Sequence, residues 1–215
     1  MTITRKLAPL TAVALSAVVL LAGCTSTPES NAGPTKSPSS SATPKPTPTA
    51  TTPAPASVKA PADSDAAYVE ANKTINLFAQ VQYDIEAEGG RGVERIEPFA
   101  SNEALTTTQT IASDLSSMGL SITGGAPGWE PNASVTTFGD VQPSSGAKIP
   151  NGIAYVKGCW DLSKQKTIAT TGTPPADRTV TRFPVQFNVT YFPDSQTWKV
   201  TNQTNISKEA GAPQC

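Results

Sequence analysis

The sequence has no histidine and only three cysteines among its 215 residues. It therefore cannot form the cysteine–histidine pair that activates a nucleophilic thiol, and it has no paired cysteine or histidine ligands for a metal. The 16 basic and 17 acidic residues nearly balance, and the part expected to fold has no basic block. The electrostatic pattern of a nucleic-acid-binding protein is thus missing. We expect no cofactor, no metal and no nucleic-acid partner.

The N-terminus has the pattern of an export signal. Arg5 and Lys6 precede a mostly apolar run from Leu7 to Leu21, which ends in Leu21-Ala22-Gly23-Cys24. A charged region, a hydrophobic region too short for a permanent membrane span, and small residues at the processing site are typical of secretory signals. The alternative is an ordinary signal peptide with a cysteine nearby.

A leucine, two small residues and a cysteine directly after the apolar run make up the lipobox pattern. It predicts a signal peptide over residues 1–23 and a diacylglycerol on Cys24. Several acyl chains on one residue give stable membrane anchoring. We therefore expect an extracytoplasmic lipoprotein on the outer face of the cytoplasmic membrane, with the membrane as one partner.

Residues 24–62 predict a disordered stalk. After Cys24 they are almost entirely Ser, Thr, Pro, Ala and Lys, and Val58 is the single branched apolar residue among them. Such a segment cannot bury enough surface to offset its ordering entropy. Its reach lies between roughly 35 and 120 Å, from flexible coil to extended polyproline. The stalk is either an unmodified linker or an O-glycosylated one.

The other two cysteines predict a disulfide. With Cys24 assigned to lipidation, Cys159 and Cys215 remain as an even pair in an oxidising compartment. Closing a loop of that length contributes roughly 4 kcal/mol in the chain-entropy model. We expect the bond to fasten the last residues to a strand.

Residues 63–215 have the size of one domain, with helices before strands. Apolar residues at helical spacing predict a helix from Asp65 to Ile85, capped by Ser64 or Asp63 and ended by Gly89-Gly90. Further helical stretches are predicted over Val93–Phe99 and Leu105–Met118. Strands are predicted over Leu120–Thr123, Ser134–Val141, Ile153–Leu162, Thr179–Phe192 and Thr197–Ile206.

The last two strands predict a long antiparallel hairpin. Phe183, Val185, Phe187, Val189 and Tyr191 alternate with polar residues, and Pro193-Asp194-Ser195-Gln196 supplies the turn. Helices followed by an antiparallel sheet predict an α+β domain in which the sheet curls around the helices.

This order of elements resembles the nuclear transport factor two-like cone shared by ketosteroid isomerase and SnoaL-type proteins. More narrowly, the strand Ala154–Asp161, the Thr/Pro stalk and the C-terminal cysteine resemble exported actinobacterial lipoproteins. The resemblance covers about Asp65 to Cys215. It implies N-terminal helices packed in a strongly curved antiparallel sheet, a cystatin-like cone.

The resemblance also implies a pocket in which enzymes of the superfamily hold a general base and an acid. The candidate carboxylates here are Asp84 on the first helix and Asp161 or Asp140 on strands. The residues of a possible cavity are Tyr68, Asp84, Tyr155, Trp160 and Tyr191, with Tyr83 as a further donor. The simpler interpretation is that Asp84 is solvated and that Asp161 caps a turn. Trp129, Trp160 and Trp198 either line a ligand cavity or pack in the core.

No residue matches a catalytic motif of the superfamily. We therefore favour a non-enzymatic module that binds an envelope protein or a cell-wall component. One alternative is a carrier of a small hydrophobic ligand in the cone. The other is an enzyme of the ketosteroid isomerase type.

Overall fold

The structure is a computed structural model that describes residues 54–170 and 172–215. The predicted signal peptide, Cys24 and most of the stalk lie outside these residues. The described part is α+β, with helices α1 (Ser64–Ala87) and α2 (Asn102–Met118). The strands are β1 (Leu120–Thr123), β2 (Gly128–Pro131), β3 (Thr137–Val141), β4 (Ile149–Asp161), β5 (Lys166–Ala169), β6 (Arg182–Phe192) and β7 (Thr197–Asn205). Among the described helices, none has the length and apolarity needed to cross a membrane.

Helix α1 forms as its sequence predicts. The Asp63 carboxylate caps it by accepting a hydrogen bond from the Ala66 amide at 2.8 Å. The helix stops before Gly90, whose φ of +85° favours glycine. A Cβ there would lie 1.9 Å from the Ala112 carbonyl oxygen of α2, so glycine also permits close contact between the helices. The buried residues of α1 are Ala67, Ala71, Thr74, Ile75, Phe78, Ala79, Val81 and Ile85.

The two predicted helical stretches that follow α1 differ from the structure in their bounds. Val93–Phe99 forms a helix only over Val93–Ile96, and that helix is a 3₁₀ turn. Helix α2 begins at Asn102, so the threonines at its start are helical. Thr108 is buried and its hydroxyl donates to the Ala104 carbonyl at 2.9 Å. This bond satisfies a polar group that would otherwise disfavour the helix.

The strands form two antiparallel sheets. The small sheet pairs β1 with β5. The large sheet has the order β2-β4-β6-β7, and β3 also pairs with β4. Strand β2 pairs with residues 158–161 of β4 and β3 pairs with residues 149–155, so both share one edge of β4. The large sheet is therefore five-stranded but four strands wide.

The large sheet is not strongly curled, so the predicted cone is not confirmed. Sheets bend sharply at β-bulges. Register shifts occur between Gly139 and Val141 in β3 and between Asn188 and Val189 in the β6–β7 pair. The central pairing of β4 with β6 runs unbroken from Ile153–Thr190 to Asp161–Arg182. The β4–β6 pair at the centre of the sheet therefore has no bulge at which to turn around the helices.

One face of the large sheet, which we call the inner face, packs against the helices. Its centre is Phe187, which is 0% exposed. The Phe187 ring lies 5.0 Å from Trp129, 5.2 Å from Trp160 and 6.3 Å from Phe78 of α1, measured between centroids. These edge-on and tilted contacts fill the space between helix and sheet with aromatic side chains.

Two strands were missing from the prediction, and the bounds of others were wrong. The missing strands are β2 and β5, which have four residues each. Strand β4 begins at Ile149 instead of Ile153, and β6 begins at Arg182 instead of Thr179. The predicted strand Ser134–Val141 begins with a 3₁₀ turn over Ala133–Val135, and β3 starts at Thr137. Short edge strands carry too few alternating residues to be recognised from sequence.

Candidate binding site on the outer face of the sheet

The five residues predicted to line a cavity do not come together. Trp160 is 3% exposed and lies on the inner face. Tyr155 lies on the opposite face of β4, which we call the outer face. Side chains alternate between the two faces along a strand, and Tyr155 and Trp160 are an odd number of sequence positions apart. Tyr68 packs at the edge of the core. Asp84 accepts a hydrogen bond from the Gln80 amide at 2.8 Å in an exposed pair on α1.

Tyr191, the fifth of these residues, is buried on the inner face, and burial raises the pKa of its phenol. Its hydroxyl donates to the Val58 carbonyl at 3.1 Å. The predicted stalk therefore ends in contact with the domain. The Val58 amide donates to the Gln196 carbonyl at 2.7 Å, and the Ser57 hydroxyl donates to the Gln196 side chain at 2.8 Å. Residues 57 and 58 are thus fixed at the β6–β7 turn.

Two of the candidate carboxylates are held in the ionised form. The Ser163 hydroxyl and amide beside Asp161 lower the pKa of that carboxyl. The Ser163 amide donates a hydrogen bond to the Asp161 carboxylate at 2.7 Å. Lys148, 2.6 Å from Asp140, and the Asn151 amide lower the pKa of Asp140. Asp161 caps a turn, as the simpler interpretation predicted. A carboxyl with a lowered pKa is a weak base at neutral pH.

The prediction missed the one carboxyl among the described residues whose pKa is raised. Burial raises the pKa of Glu86 to about 7, and hydrogen bonding to Gln82 and the charge of Arg178 oppose this. The Gln82 amide donates to Glu86 at 3.0 Å. The cluster Asp84, Glu86 and Glu88 had the pattern of a solvated charge run, and burial of its middle member is set by tertiary packing. Glu86 can exchange a proton near neutral pH.

The outer face of the large sheet is polar. Thr137, Tyr155, Asn188 and Asn202 lie opposite one another on β3, β4, β6 and β7. We call these four residues the outer row. A second row lies beside it, in which Lys157, Gln186 and Thr204 are opposite one another on β4, β6 and β7.

Residues next to the outer row hold its two amides. The Gln186 amide donates to the Asn188 side-chain oxygen at 2.9 Å, and the Thr204 hydroxyl donates to the Asn202 side-chain oxygen at 2.6 Å. The Asn202 amide donates to Glu103 at 2.5 Å. Among the described residues, the Asn188 side-chain nitrogen and the Tyr155 hydroxyl have no hydrogen-bond partner. They are free to bind a ligand.

The Tyr155 ring leans over a glycine. A Cβ added to Gly139 would lie 3.4 Å from Tyr155 Cε2 and 3.6 Å from its hydroxyl oxygen. Glycine in a strand commonly marks such a close approach. The half-buried Tyr155 ring therefore occupies space that a side chain at residue 139 would take.

The two lysines nearest the outer row each have a partner within the domain. The Lys157 ammonium lies 3.9 Å from Glu209, and Lys199 donates to the Glu97 carbonyl at 2.8 Å. The outer row itself contains no ionisable carboxylate or amine.

The C-terminal residues cover one end of the outer face. The Cys159 and Cys215 sulfurs lie at disulfide-bonding distance, as predicted, with their Cα atoms 5.6 Å apart. Ile206 is 1% exposed, and its amide donates to the Pro184 carbonyl at 3.0 Å. Pro184 in turn pairs with Cys159 across β6 and β4. A groove of about 430 Å³ runs between this tail and residues 130–134.

Comparison with known proteins identifies no family. No protein-family model matches the chain, and no curated protein matches it. Among solved structures, the chain is similar to the crystal structure of the intermembrane space region of the chloroplast protein ARC6. The sequence identity is 12%, the TM-score is 0.46, and the match covers 68% of this chain and 98% of that one. A similarity of this degree carries no argument about function.

Proposed function

We propose that this chain is an exported lipoprotein, anchored through Cys24, whose domain binds a component of the cell envelope through the outer face of its sheet. The observation that carries the proposal is the outer row. It presents free polar groups around Tyr155 on one face of a sheet whose other face is packed against helices.

The two ends of strand β6 support this arrangement. The stalk meets the domain at the β6–β7 turn, next to Tyr191. The disulfide-fastened tail lies at the other end of β6, next to Pro184. The outer row lies between these two ends. A tether that enters at the turn would leave the face beside it open to the envelope.

The rival functions have weaker support. A carrier needs an internal cavity, and aromatic rings around Phe187 fill the space between α1 and the sheet. An isomerase needs a carboxyl poised as a base, and the pKa of both Asp140 and Asp161 is lowered. Glu86, whose pKa is raised to about 7, is not one of the carboxylates that the resemblance points to. Membership of the nuclear transport factor two-like group remains a proposal that rests on the order of helices, sheet and hairpin.

The anchor is tested by mass spectrometry of the protein purified from its own cells. We expect the mature N-terminus to be a diacylglyceryl Cys24, and we expect Cys24→Ala to abolish detergent-phase partitioning. An unmodified Cys24 or cleavage at another residue would contradict the proposal.

The binding face is tested by crosslinking in intact cells. A photo-reactive phenylalanine analogue replaces Thr137, an exposed residue at the edge of the outer row, or, as the control, Met118 at the end of α2, which is 58% exposed. We expect a crosslinked product from residue 137 and none from residue 118. Equal products from both, or none from residue 137, would exclude the outer face as the binding surface.

A further inference from the structure

The outer row combines an aromatic ring with amide and hydroxyl groups and contains no charge. We infer that it binds a neutral polysaccharide of the envelope. This inference rests on the proposed function and names its ligand class. Its first support is Tyr155, because a tyrosine ring presents an apolar surface with a hydroxyl at its tip. A sugar ring likewise has an apolar C–H face and a hydroxyl edge.

The second support is the fixed position of the amides. Gln186 donates to the Asn188 oxygen at 2.9 Å, so that the Asn188 nitrogen remains as the free donor. An amide offers both donors and acceptors, which suits the neighbouring hydroxyls of a sugar. Because its neighbours already hold the side chain, binding costs little further side-chain entropy.

The third support is the charge at the surface. An anionic polymer or an acidic peptide needs a cluster of free lysines or arginines. Here Lys157 already lies beside Glu209, and Lys199 donates to the Glu97 carbonyl, so no such cluster adjoins the row. A second copy of this chain is also a poor match, since homodimer interfaces are more apolar than this row of Thr, Asn and Tyr. A neutral, polyhydroxylated ligand matches the row best.

The fourth support is the shape of the surface. Neighbouring strands lie about 4.8 Å apart, so the row from Thr137 to Asn202 spans about 14 Å across four strands. It crosses the sheet from β3 to β7 without a closed pocket. Such a surface accommodates the interior of a chain, because it has no wall against which a chain end would stop.

The test is affinity electrophoresis of the full-length lipidated protein in detergent. The gels contain the neutral polysaccharide fraction released from the source organism's own wall, or heparin or polyglutamate as charged controls. We expect only the neutral fraction to retard the protein. Tyr155→Ala should weaken binding at least tenfold and Asn188→Ala about tenfold, whereas Tyr155→Phe, which keeps the ring, should stay within threefold. Ile168→Ala on the exposed part of β5 is the matched control and should leave binding unchanged.

Several results would overturn the inference. They are no retardation by the neutral fraction, retardation by the anionic polymers instead, unchanged binding in both Tyr155→Ala and Asn188→Ala, or a protein dimer that these substitutions dissociate. If Tyr155→Ala unfolds, Asn188→Ala alone decides. A crosslinked protein at residue 137 in cells, together with no retardation, would reject the polysaccharide and keep the proposed function.

Discussion

The two faces of the large sheet are built from alternating residues of the same strands, yet they differ in almost every property. On β4, Val156 is completely buried, while its neighbours Tyr155 and Lys157 are half-buried on the other side. The inner face is aromatic and aliphatic, and it holds the fold together. The outer face is polar, and its outer row contains no charged residue. The comparison teaches that the residues that stabilise the fold are separable, one by one along a strand, from those through which we propose that the domain binds.

The largest expected effect comes from the inner face. Phe187→Ala removes a ring that contacts Phe78, Trp129 and Trp160, and it should lower the free energy of unfolding by about 3–5 kcal/mol. Thr190→Ala on the outer face should change it by less than about 1 kcal/mol. Urea denaturation followed by tryptophan fluorescence measures both. Similar losses in the two variants would break the distinction between the faces.

The disulfide should have the next largest effect. Replacing both Cys159 and Cys215 by serine removes a covalent link between residues 56 positions apart. This change should lower the free energy of unfolding by about 2–4 kcal/mol. It should also free the C-terminal tail at one end of the outer face. Hydrogen exchange of residues 207–215 should rise while that of α1 stays unchanged. Unchanged stability and exchange would show that the tail is held without the bond.

Glu86 gives a pH-dependent effect. Its carboxyl stays protonated in the folded state up to about pH 7, whereas in the unfolded state it ionises from about 4.5. The unfolded state therefore binds fewer protons in this window, and stability should fall by on the order of 1–3 kcal/mol as pH rises from about 4.5 to 7. Lowered pKa values place the titration of Asp140 and Asp161 below the window.

Glu86→Gln should remove this slope and stabilise the protein at pH 8. Asp84→Asn, which alters the exposed carboxylate bonded to Gln80, is the control and should leave the slope in place. Thermal unfolding between pH 4 and 8 measures both variants. An unchanged slope in Glu86→Gln would show that another group carries the dependence.

The smallest effect concerns the attachment of the stalk. Tyr191→Phe removes the hydrogen bond from the phenol to the Val58 carbonyl and should cost about 0.5–1.5 kcal/mol. Limited proteolysis near residue 58 should become faster, since this bond helps to fix the chain there. An unaltered cleavage rate would mean that the backbone bond to Gln196 alone holds the segment.

Several parts of this architecture follow from local sequence patterns. Helix α1 is predicted by its apolar spacing and its Asp63 cap, and β1 is predicted residue for residue. The β6–β7 hairpin follows from strict alternation and a turn sequence. The pairing of Cys159 with Cys215 follows from counting the cysteines that remain after the predicted lipidation of Cys24.

Other features depend on tertiary contacts that no local pattern carries. Whether a sheet curls depends on where bulges fall between partner strands. The sequence of β4 alone does not determine the register in which it pairs with β6. The burial of Glu86 depends on which segments pack against α1. Tyr155 and Trp160 were grouped in one cavity although their odd separation on a strand places them on opposite faces. Strand parity was the signal available in the sequence for separating them.

Hydroxyl-radical footprinting of Tyr155 tests the central claim most directly. The protein is labelled in intact cells and, separately, after detergent purification, and the modification of Tyr155 is compared with that of Met118, which is 58% exposed on α2. If the outer face binds an envelope component, Tyr155 will be protected in cells and modified after purification, while Met118 reacts equally in both. Equal modification of Tyr155 in both states would contradict the account.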